Sequence, residues 1–339
     1  LDNNRVFVSA MEPRAAIADF DSDDDRYILH VCSQGVMGMR NTLAGAIFNV
    51  EPEKIRVFTS DVGGSFGMKA MPYHEYPVIM LAAKQLGRPV KWTADRSESC
   101  VSDHQGRASQ FEAELALDKD GKFLAARVTG LADMGGYLTG TGPLAQSVNI
   151  GKNLPCMYTT PAIDVNMRCV FTNTLYVGAY RGAGRPEGNF IMERLVDTAA
   201  REMGIDPIQL RRRNLVPNSA FPYTAASGQV IDSGDFEAML VQAVAASDWA
   251  GFAGRKASAK ARGKDRGIGV CAYLEVTAPA GKENGGIRFG EDGRVTMVSG
   301  TLDYGQGHRA TFGQIVSARL GIPFEQIDLL QGDSDELLV

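Results

Sequence analysis

The strongest constraint on this chain is that part of it occurs twice. Laid over itself at an offset of 272 residues, Ser33-Gln34-Gly35 falls on Gly305-Gln306-Gly307, and the register holds without a gap to position 61. Leu43 falls on Ile315, Ala46 on Ala318, Val50 on Ile322, Glu53 on Glu325, Ile55 on Ile327, Val57 on Leu329 and Asp61 on Asp333. Each copy reads Gln-Gly, helix, a short turn with proline, strand, aspartate. Burial alone produces apolar matches, but it does not require Gln-Gly, Glu and Asp to recur in one register, so a duplicated unit is expected. A Gln-Gly at each helix start predicts a pseudo-symmetric cleft between two domains, suited to an extended ligand.

At 339 residues the chain exceeds one ordinary core, and 44% hydrophobic with 22% charged residues is a soluble globular balance. The expected class is α+β, mixed sheets and helices with an internally duplicated unit. Strands are predicted at Val6–Ser9, Ala15–Asp19, Arg26–Cys32, Ile55–Thr59, Gly267–Glu275, Gly286–Phe289 and Val295–Gly300, with a hairpin about Asp118-Lys-Asp-Gly121. Helical spacing covers Gly35–Asn49, His74–Gln85, Asn189–Met203 and Phe236–Ala246, and another helix follows the Asp206-Pro207 start. The basic run Lys256–Arg266 lies among Ala, Ser and Gly and reads as a solvated linker. The expected domains are therefore 1–235, a helix and linker over 236–266, and 267–339.

A net charge of −5 argues against a nucleic-acid partner. The five cysteines are scattered without C-x-x-C spacing, which supports neither a zinc site nor a disulfide framework and fits a reducing, cytoplasmic compartment. No apolar run approaches the ~20 residues of a membrane span. The start at Leu1 and the apolar end after Asp335 suggest a piece of a longer polypeptide.

Chemistry concentrates in glycine-rich loops. Val62-Gly-Gly-Ser-Phe-Gly67 lies between a strand and a helix and reads either as a tight turn or as a backbone cradle for an anionic ligand. Ala179-Tyr-Arg-Gly-Ala-Gly-Arg185 places Arg181 as a fixed cation, for an oxyanion or a loop ion pair, and Arg185 could pair with Glu187. Gln34 and Gln306 are surface caps, or offer an amide donor and acceptor beside unpaired helix-start N–H groups. No Walker loop or G-x-G-x-x-G occurs, and His30, His74, His104 and His308 show no metal-ligand spacing. His104 beside Asp103 reads as a structural hydrogen-bonding residue.

Five motifs, Ser33-Gln34-Gly35, Gly63-Gly-Ser-Phe-Gly67, Ala179-Tyr-Arg-Gly-Ala-Gly-Arg185, Asp206-Pro-x-x-Leu-Arg-Arg-Arg-Asn214 and Tyr304-Gly-Gln-Gly-His308, stand in one order. In that order and spacing the chain resembles the molybdenum-binding large subunit of the xanthine oxidase family, which includes aldehyde oxidases and aerobic carbon monoxide dehydrogenases. The resemblance implies a molybdenum cofactor-binding domain fold. Gln34 would hydrogen-bond an oxo ligand of molybdenum, and Arg181 would belong to the active-site loop; these are the expected catalytic residues. Gly64, Phe66 and Gly67 would pack beside the metal, and Gly305, Gln306 and Gly307 would hold the pterin dinucleotide. Molybdopterin, usually as the cytosine dinucleotide in bacteria, would hold the metal without a direct protein ligand. The partners implied are an FAD-containing medium subunit and a [2Fe-2S] small subunit.

Departures narrow the substrate. Gly182 stands where copper-containing carbon monoxide dehydrogenases carry cysteine. Ala70 and Ala183 stand where purine-oxidising members carry glutamate and phenylalanine, and Glu275 is a further candidate pocket residue. An aldehyde or an aromatic heterocycle, hydroxylated with water, fits better. The family's general base is expected beyond residue 339, so the chain alone is expected to be inactive and cofactor-free. The rivals are a naturally split half-subunit and a non-catalytic binding module that keeps the fold.

Overall fold

The repeat folds as two copies of one supersecondary unit. In the first, strands Ala15–Asp21 and Arg26–Val31 pair antiparallel, helix Val36–Thr42 runs on through a π-helical turn Leu43–Phe48, and a 3₁₀ turn Pro52–Lys54 leads into strand Ile55–Phe58, parallel to Arg26–Val31. In the second, Gly285–Phe289 and Val295–Ser299 pair antiparallel, helix His308–Leu320 follows, and the 3₁₀ turn Phe324–Gln326 leads into Ile327–Leu330, parallel to Val295–Ser299. The turns and last strands match residue for residue at the sequence offset. The computed structural model describes residues 1–276 and 283–337.

Two compact units emerge, and neither is continuous in sequence. The first comprises the described residues of Leu1–Val6, Gly106–Gly178 and Gly182–Thr277, and the second those of Phe7–Gln105, Ala179–Arg181 and Ala278–Val339. Both copies of the repeat thus fall in the second unit, which corrects the expectation that they face one another from separate domains. They are stitched directly. Phe58 bridges Asp333, Thr59 N–H donates to the Gly332 carbonyl at 2.7 Å, Ser334 N–H donates to the Val57 carbonyl at 3.0 Å, and Arg56 pairs with Asp333 at 2.5 Å. Gly332, at φ 74°, is required there, since a Cβ would lie 2.1 Å from the Thr59 carbonyl oxygen.

In the second unit the sheet order is Ile55–Phe58, Arg26–Val31, Ala15–Asp21, Val90–Thr93, with helix Glu75–Leu86 packed on its strands. Its core includes Ala18, Leu29, Met39, Leu43, Val57 and Met80, all fully buried. In the first unit Asp2–Asn3, Ser109–Leu117, Phe123–Gly135 and Ile163–Phe171 form a sheet in that order, the hairpin turning at Gly121 as predicted. Helix Arg185–Met203 buries the stripe Ile191, Met192, Val196, Ala199 and Ala200 and ends at Gly204. Asp206 then caps helix Pro207–Asn214 by accepting from the N–H groups of Ile208 and Gln209.

Three expectations fail for physical reasons. Gly267–Glu275 forms no strand, because its backbone serves buried side chains instead. Ala272 N–H donates to Glu193, Leu274 N–H to Asn189, and the Val270 carbonyl accepts from Arg211. The basic run is partly ordered as helix Phe252–Ala261, anchored by buried Ala259. Helix Arg185–Met203 begins four residues earlier than predicted, because Pro186 suits the first turn, where its missing N–H costs nothing.

Candidate molybdopterin-binding site

Within the second unit, the Gly63–Gly67 loop and the glutamine at position 34 are one structure. Gln34 Oε1 accepts from Ser65 Oγ at 2.5 Å and from Gly67 N at 2.7 Å, while Gln34 N donates to the Lys69 carbonyl at 3.0 Å. With its carbonyl end engaged twice, Gln34 turns its amide Nε2 outward as a donor. Ser65 Oγ also accepts from Lys69 N, and the fully buried Lys69 ammonium pairs with Glu12 at 2.7 Å. Glu12 closes the loop's other end by accepting from Gly63 N at 2.9 Å.

The loop's backbone needs its glycines. Gly64 and Gly67 sit at φ 94° and 100°, and a Cβ on Gly67 would lie 2.3 Å from the Ala179 carbonyl oxygen. Phe66, itself at φ 56°, leaves its ring exposed and accepts at its carbonyl from Arg181 N at 3.0 Å. The Arg181 guanidinium carbon is 5.8 Å from that ring's centre. Ala70 N donates to the Gly67 carbonyl at 3.3 Å, so Ala70 stands at the same loop's exit. Gln34, Gly64, Phe66, Gly67, Ala70 and Arg181 are therefore gathered. The loop is not a helix start, as the sequence suggested, since the helix begins only at Glu75.

The arginine segment is held from behind by His104, whose Nε2 lies 2.9 Å from the Ala179 carbonyl and whose Nδ1 lies 3.3 Å from Tyr73 Oη. Burial pushes the His104 imidazole below its ordinary pKa, against the Ala179 carbonyl and Asp103. A neutral ring facing a carbonyl carries its proton on Nε2. Behind it, Arg14 is wholly buried between Asp103, Glu75 and the Tyr73 ring. Ser65, Lys69, Glu12 and Arg14 escaped the sequence reading. Only Ser65, inside the glycine run, carried a positional signal.

In the first unit, the later half of the arginine loop is gripped separately. Asn149 Nδ2 donates to the Ala183 carbonyl at 2.8 Å, and Ala183 sits at φ 46°. Arg185 pairs with Glu275 at 3.2 Å, and Glu187 with Arg107 at 3.4 Å, so the expected Arg185–Glu187 pair does not form. A Cβ on Gly182 would meet Pro186 at 2.5 Å and Glu275 Oε2 at 3.2 Å, with φ at 90°.

The Gly305–Gly307 turn is closed by its own aspartate. Asp303 accepts from the N–H groups of Gly305, Gln306, Gly307 and His308 at 2.7–3.1 Å, so these donors are not unpaired as expected. Gln306 Oε1 accepts from Tyr304 N at 2.7 Å. As at Gln34, the carbonyl end is tied internally and the amide end is left to donate.

Partial burial works against the Asp303 charge, but the four N–H groups outweigh it and hold the carboxyl below its ordinary pKa. Its stabilisation is therefore fully present above the usual carboxylate pKa of about 3.9 and is lost as pH falls through the depressed value. The urea midpoint should drop on acidification over that window, and Asp303→Ala should flatten the drop. A variant with the same acid profile as the parent would count against this assignment.

The sequence family described as "Molybdopterin cofactor-binding domain" matches residues 1–215, and a second family of the same description matches residues 242–338. The chain belongs to this molybdopterin-binding family. Its relatives place it with the large subunits of the xanthine oxidase group. It is 32% identical over 98% of its length to the 6-hydroxypseudooxynicotine dehydrogenase complex subunit gamma of Paenarthrobacter nicotinovorans, covering 42% of that protein. It is 30% identical over 97% of its length to the carbon monoxide dehydrogenase large chain of Hydrogenophaga pseudoflava, covering 43% of it. The fold matches quinoline 2-oxidoreductase from Pseudomonas putida 86 with a TM-score of 0.93 at 31% identity, over 99% of this chain and 44% of that one. The chain thus spans less than half the length of the proteins it matches.

The molybdopterin-binding domains suit the donor set. The carbonyl ends of Gln34 and Gln306 are both tied internally, and the positive charge of Arg181 lies by the Phe66 ring, a set whose chemistry fits an anionic group. Among the described residues no cluster of three His, Cys, Asp or Glu could hold a metal ion, and no helix is long and apolar enough to cross a membrane.

Proposed function

We propose that this chain is the cofactor-holding part of a molybdenum hydroxylase large subunit, acting on an aldehyde, an aromatic heterocycle or a related small molecule with water as the oxygen source. The observation that carries this reading is the tethering of Gln34. Its carbonyl is fixed by Ser65 and Gly67, so its amide donates in one direction, beside a loop whose glycines keep the backbone free of side chains. When bound, molybdopterin would supply two-electron redox chemistry at its metal. Gln34 and Arg181 would orient an oxo-bearing group by hydrogen bonding and charge. The exposed Phe66 ring would pack beside it, and Gly305–Gly307 would contribute Gln306 Nε2 to the pterin's polar end.

The same reading assigns the cytosine dinucleotide form, partner subunits with FAD and [2Fe-2S], and a cytoplasmic site, and it leaves residues 1–339 alone free of cofactor. The sequential division at 235 and 267 is kept as the boundary between the two molybdopterin-binding modules. Gly182 speaks against a copper-type site, because a cysteine side chain there would collide with Pro186 and Glu275. Ala70 and Ala183 leave no purine-clamping side chains.

Gln34→Glu in the full-length, assembled enzyme tests the role of the amide. Glutamate keeps an acceptor for Ser65 and Gly67 but replaces the outward donor with an oxygen. Melting temperature should be nearly unchanged while turnover falls at least about a hundredfold, in the range of losing one preorganised donor. Unchanged turnover would contradict the proposal.

A further inference from the structure

In the first unit, residues 270–275 pair with no strand among the described residues, yet their main chain is held as if they did. Val270, Ala272 and Leu274 are buried or half-buried, while Cys271, Tyr273 and Glu275 between them are exposed. Three side chains take the place of a neighbouring strand. Arg211 donates to the Val270 carbonyl at 3.1 Å, Glu193 accepts from Ala272 N at 2.9 Å, and Asn189 takes both main-chain groups of Leu274. Asn189 Oδ1 accepts from Leu274 N and Nδ2 donates to Leu274 O, each at 3.1 Å. Meeting an N–H and a C=O of one residue at once is what a rung of a β-ladder does.

The Asn189 amide has little freedom of its own. It is buried on helix Arg185–Met203, and its Oδ1 also accepts from Cys156 Sγ at 3.1 Å. Because successive residues of an extended segment face opposite sides, fixing Leu274 inward turns Glu275 outward. There Glu275 Oε1 meets Arg185 Nε at 3.2 Å, and Arg185 donates from Nη1 and from its main-chain N to the Gly182 carbonyl, both at 3.2 Å. Gly182 is the residue after Arg181 and sits at φ 90°, so it has the backbone freedom to turn if that grip is lost.

We infer, resting on the molybdenum hydroxylase reading, that Asn189 is a positioning residue for the arginine loop, acting through Leu274 and Glu275 on Arg185 and so on Gly182. Its clamp on Leu274 sets where the Glu275 carboxylate stands, that carboxylate orients the Arg185 guanidinium, and the guanidinium fixes the Gly182 carbonyl. The main chain leaving Arg181 is thereby held in one direction. Releasing the clamp frees Glu275 to swing away and Gly182 to turn, which displaces the catalytic arginine without removing it.

Asn189→Asp, Glu275→Ala and the double variant, made in the full-length enzyme assembled with its partners, test this by kcat, molybdenum content and melting temperature. Aspartate keeps the volume of Asn189 and its acceptor but sets an oxygen against the Leu274 carbonyl. Each single variant should lower kcat at least about tenfold at the parent's molybdenum content, the scale of a small misplacement of a reacting group. The double variant should be no slower than the slower single, because both break one chain of contacts. A purely structural role would lower the melting temperature and leave kcat per molybdenum unchanged. That result in either single variant would overturn the inference, as would losses that multiply in the double variant. Glu275→Ala trims an exposed side chain and leaves the buried network whole, so its kcat decides the matter even where the Asn189 variant fails to assemble. A parent enzyme without molybdenum would instead contradict the proposed function itself, and this inference with it.

Discussion

Arg14→Ala is expected to destabilise the second unit by about 3–5 kcal/mol, the cost of removing one partner from a buried ion pair. The Arg14 side chain is 0% exposed, with Nε 2.5 Å from Asp103 and its terminal nitrogens 2.8 and 3.1 Å from Glu75. The guanidinium also lies 3.6 Å over the Tyr73 ring. Deleting it strands the Asp103 carboxylate, which is fully buried and whose Oδ2 already has no hydrogen-bond partner. Arg14→Lys should recover only part of the loss, because an ammonium cannot span Asp103 and Glu75 with the same fork. Urea unfolding followed by Trp92 fluorescence would measure both. A loss of less than about 1 kcal/mol would mean that the network is relaxed by solvent. Since Tyr73 and Asp103 flank His104, which holds the Ala179 carbonyl, the variant should also disturb the segment that carries Arg181.

Gly67→Ala should cost at least about 3 kcal/mol, and its effect falls directly on the site. The position combines φ 100° with a would-be Cβ 2.3 Å from the Ala179 carbonyl oxygen, so strain and collision add. Relief requires the loop to retreat, which pulls the Gly67 N–H from Gln34 and the Phe66 carbonyl from Arg181. Gly307→Ala is the control. Its φ is 74°, but a Cβ there meets nothing within 4 Å, so only the backbone strain of about 1 kcal/mol is expected. Thermal melts of the two variants should separate them. Equal losses would mean that the Ala179 contact is not the cause.

The repeat was legible because three polar positions recur where burial asks for none, and the structure returns the same strand, turn and helix at that offset. The hairpin at Gly121 and the cap at Asp206 were legible because local chemistry decides them. Strand Ile163–Phe171 was missed. Its Ile163, Val165 and Met167 alternate with exposed Asp164, Asn166 and Arg168 as a half-buried edge strand requires, so the signal was present and was overlooked. The strand expected over Gly267–Glu275 was a tertiary override, its N–H and carbonyl groups captured by Glu193, Asn189 and Arg211. At the site, Gln34, Phe66 and Arg181 were marked by motif. Ser65, Lys69, Glu12 and Arg14 were not, because holding a loop in place from beneath leaves no spacing pattern in sequence.

The central claim is that these loops hold molybdopterin. It is tested most directly by the metal and pterin content of the full-length subunit, purified with its partners from molybdenum-replete cells. The account predicts stoichiometric molybdenum and releasable cytosine nucleotide in the parent, and loss of both in Gly67→Ala with the assembly otherwise intact. A correctly assembled parent subunit free of molybdenum and pterin would contradict it.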